Sequence, residues 1–185
     1  MNVQAERLAI PDVILLRPKV NRDDRGFFVE TANTRTLDNL GVPGPFVQDN
    51  QAFSVQQGVL RGLHYQKSPR AQGKLVRVLK GRIFDVAVDV RGASPTFGRS
   101  VWAELTADGM EQLWVPPGFA HGYVTLEPAT EVFYKVTDFY APETEGGVIW
   151  NDPALAIPWP VPAQGPVLSP KDCLLPRLED IPPPF

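Results

Sequence analysis

Ile83 to Val90 reads IFDVAVDV, an apolar, β-branched run that alternates at period two and is flanked by turn residues, Lys80-Gly81 before it and Pro95 with Gly98 after it. That pattern, a short strand closed off by glycine or proline, recurs along the chain and constrains the fold more than any other feature. Val13 to Arg17 (VILLR), Phe27 to Val29, Phe46 to Ser54, Leu75 to Leu79, Ser100 to Leu105 and Gln112 to Val115 read as strands. FAHGYVTL and EVFYKVTDFY, the latter from Glu131 to Tyr140, extend the series. Asn21 to Gly26 reads as a polar turn, Ala107-Asp108-Gly109 as a hairpin signal, and Pro116-Pro117-Gly118 as a rigid turn. With 20 prolines and 15 glycines in 185 residues, helices must be few. The best candidate runs from Thr34 to Leu40 and stops at Gly41, with Pro43 beyond.

Short strands with dense turns and no crossover helix predict an all-β sandwich or barrel, and among these the double-sheet jelly roll. No second core or linker is visible, so residues 1–185 are expected to form one domain. The proline-rich segment from Pro153 to Phe185 is expected to wrap the barrel, with a disordered tail as the alternative that Trp159, Leu168 and Leu174 argue against.

The charge balance narrows the possible partners. A net charge of -3 and a pI near 5.4 give no bulk attraction to nucleic acid or anionic lipid, so an anionic ligand would need local arginines and lysines. No apolar run reaches the length of a membrane span, and MNVQAERLAI lacks the basic-then-apolar order of a signal peptide. The single cysteine, Cys173, allows no internal disulfide and suits a cytoplasmic protein. Two histidines with no HxH pair argue against a transition-metal site, and no nucleophile elbow, P-loop or dinucleotide fingerprint is present. Acid–base chemistry with histidine, lysine, tyrosine and carboxylates remains, with no cofactor and no metal.

The stretch GVLRGLHYQKSPRAQGK, Gly58 to Lys74, gathers such groups. It delivers a guanidinium (Arg61), an imidazole (His64) and an ammonium (Lys74) from one strand and its following loop, a set suited to holding and deprotonating an anionic substrate. Strict alternation puts Arg61, Leu63 and Tyr65 in phase and His64 out of phase, unless a bulge at Gly62 reorients the strand. His121 could face the same cavity, and Tyr134 and Tyr140 are even-spaced within one strand-like run.

Taken together, these motifs resemble the dTDP-4-dehydrorhamnose 3,5-epimerase family of the cupin superfamily. The resemblance rests on DDRGFFVE (Asp23–Glu30), QDN (Gln48–Asn50), GVLRGLHYQ (Gly58–Gln66) and QGKLVRVLKGRIFDVAVDVR (Gln72–Arg91). SPTFG (Ser94–Gly98), LWVPPGFAHGY (Leu113–Tyr123), YKVTDFYAPETEGG (Tyr134–Gly147) and SPKD (Ser169–Asp172) continue it in family order over nearly the whole chain. The resemblance implies a jelly-roll fold, a dTDP-4-keto-6-deoxyhexose substrate, and a homodimer in which a neighbouring subunit completes each site. It implies His64 as proton acceptor supported by Asp172, Tyr134 as proton donor, and Lys74 beside the ketone. It also places Arg25, Phe28, Glu30, Gln48, Asp49, Asn50, Arg61, His121, Glu145 and Lys171 at substrate-binding positions, with Tyr140 stacking on thymine.

The chemistry is self-consistent. A C4 ketone acidifies the C–H bonds at C3 and C5; removing either proton gives an enolate, and reprotonation from the opposite face inverts the centre. This requires a base on one face, an acid on the other and a cation at the oxyanion. Arg61 suits a diphosphate because its planar fork binds anionic oxygens in pairs. Two alternatives stand beside double epimerisation: inversion at C3 or C5 alone, and a jelly roll that binds the nucleotide sugar without turnover.

Overall fold

The computed structural model describes residues 2–185. In chain order the elements are β1 (Val3–Arg7), β2 (Ile14–Pro18), β3 (Asn21–Asp23), β4 (Gly26–Phe28), α1 (Thr34–Asn39), β5 (Gln48–Ser54) and β6 (Leu60–Gln66). They continue with β7 (Lys74–Lys80), β8 (Arg82–Asp89), β9 (Ser100–Thr106), β10 (Gln112–Val115), β11 (Phe119–Thr125), β12 (Thr130–Val136) and β13 (Glu145–Gly147). A six-stranded sheet, β1-β2-β10-β7-β12-β5, faces a five-stranded sheet, β13-β6-β11-β8-β9, and all strand pairs are antiparallel.

Period-two alternation explains the three apolar layers. Inward residues of the first sheet (Leu15, Val76, Val78, Leu113, Val132) pack against inward residues of the second (Ile83, Ala87, Leu105, Phe119, Tyr123). Outward residues of β8, Val86 and Val88, are buried instead under the C-terminal segment, which lays down Leu155, Trp159, Leu178 and Phe185. This is why IFDVAVDV is apolar on both faces. Behind the first sheet, Ile14, Leu16, Leu75 and Trp114 are covered by Leu37 of α1 and by Val42. Asn33 caps α1 by accepting a bond from the Thr36 backbone amide.

Four local expectations are corrected. The polar turn at 21–26 is part of a two-stranded hairpin, β3 with β4, in which Phe27 and Phe28 are exposed. Ala107–Gly109 does turn the chain, but it joins β9 of one sheet to β10 of the other, so the flanking strands do not pair. The strand expected over Glu131–Tyr140 ends at Val136, and Tyr140 sits in the loop beyond. Leu174 is exposed and anchors nothing, whereas Trp159 is packed and Leu168 lines the cavity described below. β1 was not expected because an exposed edge strand, VQAER, carries no alternating apolar face. Among the described residues no helix is long and apolar enough to cross a membrane.

One irregularity positions the site. Between the Tyr123–Arg61 pair and the His121–His64 pair, β11 advances two residues while β6 advances three. The extra residue is a β-bulge, and it turns Arg61 and His64 toward the same cavity although they are three apart. Gly62 makes the bulge feasible: its φ is +126°, and a Cβ there would lie 2.6 Å from the Gly122 Cα on the neighbouring strand. Gly62→Ala is therefore expected to lower the unfolding free energy by about 3 kcal/mol, measured by urea denaturation. An unchanged denaturation midpoint would contradict this account of the bulge.

Candidate active site

Between the two sheets lies a cavity of about 450 Å³. Arg61 and His64 enter it from β6, His121 and Tyr123 from β11, Lys74 from β7 and Tyr134 from β12. The segment Val167–Asp172 closes one side. Val167 is tied down by backbone bonds, its amide donating to Gly58 at 2.8 Å and its carbonyl accepting from Leu60 at 3.0 Å. An adjoining cavity of about 240 Å³ shares His64, Lys74 and Tyr134 and adds Gln48, Asn50, Gln66, Gln72, Tyr140 and Glu145. Both volumes suit parts of one small-molecule ligand.

Two histidine–carboxylate pairs lie side by side, because His64 and His121 are cross-strand partners. His64 Nε2 lies 2.6 Å from Asp172 Oδ1, and His121 Nε2 lies 2.7 Å from Asp85 Oδ1. Burial opposes the charge of Asp172, but the bonds from His64 and Ser169 outweigh it and hold the carboxyl below the usual range. An ionised carboxylate only accepts, so Nε2 of His64 carries the proton and a neutral ring keeps its lone pair at Nδ1. The pairs differ in access: the His64 side chain is 29% exposed and that of His121 is 7% exposed. Burial, reinforced by the charges of Lys74 and His64 and opposed by Asp85, pushes His121 below the ordinary imidazole range. Of the two rings, His64 is the more open to a ligand.

Lys74 starts on the six-stranded sheet and reaches across, its Nζ donating to the His64 carbonyl at 3.3 Å. Burial pushes its ammonium down to about 8, with Asp85 and Glu145 pulling the other way. The Tyr134 phenol is pushed up by burial, so it holds its proton firmly. At the mouth, Tyr140 donates to Glu145 Oε2 at 2.9 Å and Lys171 Nζ lies 2.6 Å from the same oxygen, tying the 140–145 loop to the C-terminal segment. Gln66 shapes that loop: its amide donates to the Arg70 and Phe139 carbonyls, and its Oε1 accepts from the Ala141 amide at 2.9 Å.

The structure thus brings His64, Asp172, Lys74, Tyr134, Gln48, Asn50, Arg61, His121, Tyr140, Glu145 and Lys171 around one space. It does not bring Asp49, Arg25, Phe28 or Glu30 there. Asp49 alternates out of phase with Gln48 and Asn50 and pairs with Lys135 at 2.8 Å on the outer face. Arg25 and Phe28 stand on the exposed β3–β4 hairpin, where Arg25 pairs with Asp23, and Glu30 follows it, accepting from Asn33 at 3.0 Å. Tyr134 and Tyr140 meet the same cavity because a loop folds back, not because one strand carries both. Asp85, Tyr123, Gln66, Gln72 and Ser169 were not anticipated. Asp85 had left a signal, a carboxylate in phase with Ile83 and Ala87 inside a largely apolar strand. Among the described residues no group of three or more His, Cys, Asp or Glu is placed to hold a metal ion.

Fold and site together define a jelly-roll protein whose histidine, lysine, tyrosine and carboxylate side chains gather at one cavity. The chain belongs to the dTDP-4-dehydrorhamnose 3,5-epimerase family, whose model matches residues 7–180. A Pseudomonas aeruginosa dTDP-4-dehydrorhamnose 3,5-epimerase is 55% identical over 171 residues, covering 92% of this chain and 93% of the relative. The Legionella pneumophila dTDP-6-deoxy-D-glucose-3,5-epimerase, solved in complex with dTDP-4-keto-L-rhamnose, superposes with a TM-score of 0.93 at 45% identity, covering 98% of this chain and 95% of that one. The Bacillus anthracis dTDP-4-dehydrorhamnose 3,5-epimerase, solved with TDP and PPi bound, has a TM-score of 0.91 at 49% identity, covering 95% and 99%.

Proposed function

We propose that this protein epimerises dTDP-4-dehydro-6-deoxy-D-glucose at C3 and C5, giving dTDP-4-dehydro-L-rhamnose through enolate intermediates. The observation that carries the proposal is the placement of the two proton-transfer groups. His64 belongs to the five-stranded sheet and Tyr134 to the six-stranded sheet, and both face one cavity. A sugar ring held between the sheets meets a base on one face and an acid on the other.

His64, oriented by Asp172, takes the proton from C3 or C5. Electron density moves onto the C4 oxygen, which the Lys74 ammonium stabilises. A proton returned from the opposite face, by Tyr134 at C5 and by solvent at C3, re-forms the ketone, and exchange with solvent takes the proton from His64 and restores that of Tyr134. The substrate's own carbonyl supplies the acidity, so the reaction draws on no redox or metal cofactor. Arg61 and Lys171 meet the diphosphate, and the exposed Tyr140 ring offers a stacking surface to thymine. Arg25, Phe28 and Glu30 are assigned to the pocket of a neighbouring subunit in a homodimer. The exposure of the Arg25 and Phe28 side chains supports this, as does the fact that none of the three lines its own cavity.

Tyr134→Phe tests the geometry. In heavy water the wild-type protein is expected to place deuterium at both C3 and C5. The variant should still release the C5 proton yet invert that centre at least about 10²-fold more slowly, as followed by proton NMR. Full inversion by the variant would remove Tyr134 from the acid role. Label at C3 alone in the wild type would assign a single-centre epimerase, and binding without any label would assign a non-catalytic protein.

A further inference from the structure

Asp85 and Asp89 lie on the same strand, both fully buried, yet they are treated differently. Asp89 is matched in full: Arg91 pairs with it at 2.7 Å, and Ser94 and Thr96 each donate to it at 2.6 Å. That carboxylate is a structural clamp for the turn after β8. Asp85 is bonded through Oδ1 to His121, which burial keeps from charging, and its buried Oδ2 has no hydrogen-bond partner among the described residues. Its cross-strand neighbour Tyr123, also buried, likewise presents a hydroxyl with no partner of acceptable geometry. A buried carboxylate with one oxygen unsatisfied and no salt-bridge cation is costly, by roughly 1–3 kcal/mol for the missing bond alone.

We infer that Asp85 is a positioning residue of the site, its negative charge keeping Lys74 an ammonium ion while its Oδ1 fixes the Nε2–H tautomer of His121 and turns Nδ1 to the cavity. The inference rests on the epimerase reading for its consequence, since Lys74 stabilises an oxyanion only while protonated. Lys74 Nζ donates to the carbonyl of His64 on β6, whose cross-strand partner His121 on β11 is bonded to Asp85 of β8; Glu145 from β13 and Tyr134 from β12 line the same space, as do the cations Arg61 and Lys171. Of these, Asp85 and Glu145 are the groups that raise the affinity of Lys74 for its proton, Asp85 the more strongly. Glu145 is already engaged by Lys171 and Tyr140, whereas Asp85 has only the neutral imidazole.

Asp85→Asn separates charge from structure, because an amide oxygen can still accept from His121 Nε2. In the wild type, kcat/KM should fall as pH rises through about 8, where Lys74 loses its proton. In Asp85→Asn that alkaline limb should move down by about one pH unit or more, with activity recovering as the pH is lowered. His121→Gln, which leaves the charge of Asp85 in place, should lower activity without moving the limb. An alkaline limb at the wild-type position in folded Asp85→Asn overturns the inference. The Lys74 Nζ signal of the full-length wild type, assigned in NMR by its loss in Lys74→Met, gives a readout that needs neither the Asn variant nor substrate. It should be that of an ammonium at pH 7, and a neutral amine there overturns the inference as well. Absence of solvent exchange into substrate alongside a protonated Lys74 would count against the epimerase reading and leave the Asp85–Lys74 coupling intact.

Discussion

His64→Ala is expected to abolish deuterium exchange at both C3 and C5, lowering the exchange rate on the order of 10³-fold or more. The size follows from geometry. Of the two imidazoles at the cavity, His121 is 7% exposed and burial pushes it below the ordinary imidazole range, so it is a poor substitute as a base. The lesion leaves Asp172, 5% exposed, without its main partner, which costs about 1–3 kcal/mol of stability but not the fold. The measurement is paired: exchange by proton NMR in heavy water, and thermal unfolding to show that the chain remains folded. Exchange surviving at either carbon in a folded variant would mean that another group takes that proton.

Lys74→Met should separate activity from stability. Losing one preorganised donor at a developing oxyanion costs about 3 kcal/mol, on the order of 10² to 10³ in kcat. The same substitution replaces a buried charge with an apolar chain of similar length, so the unfolding free energy should hold steady or rise. Burial already pushes the ammonium down to about 8, the sign that the fold disfavours this charge where it sits. Steady-state kinetics distinguishes the roles: a fall in kcat with little change in KM marks an interaction made in the transition state. A rise in KM alone would make Lys74 a ground-state binding group.

How much of this was legible in the chain depends on the distance over which each feature is encoded. Strands β7, β8 and β10 were readable because alternation and turn residues are local. The phase of Asp49 was readable too, since Gln48 and Asn50 sit on one side of it by simple parity, and the family resemblance alone had carried it into the site. The common facing of Arg61 and His64 was not readable: it depends on an extra residue in β6 relative to β11, and that register comes from Gly62 meeting Gly122 across the sheet. The end of β12 at Val136 was missed because the polar–apolar alternation runs on into a loop that Gln66 holds in place from another strand.

The sequence by itself determined which reactive groups the molecule owns and that it folds as short strands, because side-chain chemistry and strand periodicity are properties of neighbouring residues. Only the tertiary structure decided that His64 should meet an aspartate 108 residues away, and that a phenol from the opposite sheet should face it across one cavity. Those relations are set by how two sheets stack and where one strand bulges, and no window of sequence contains both partners.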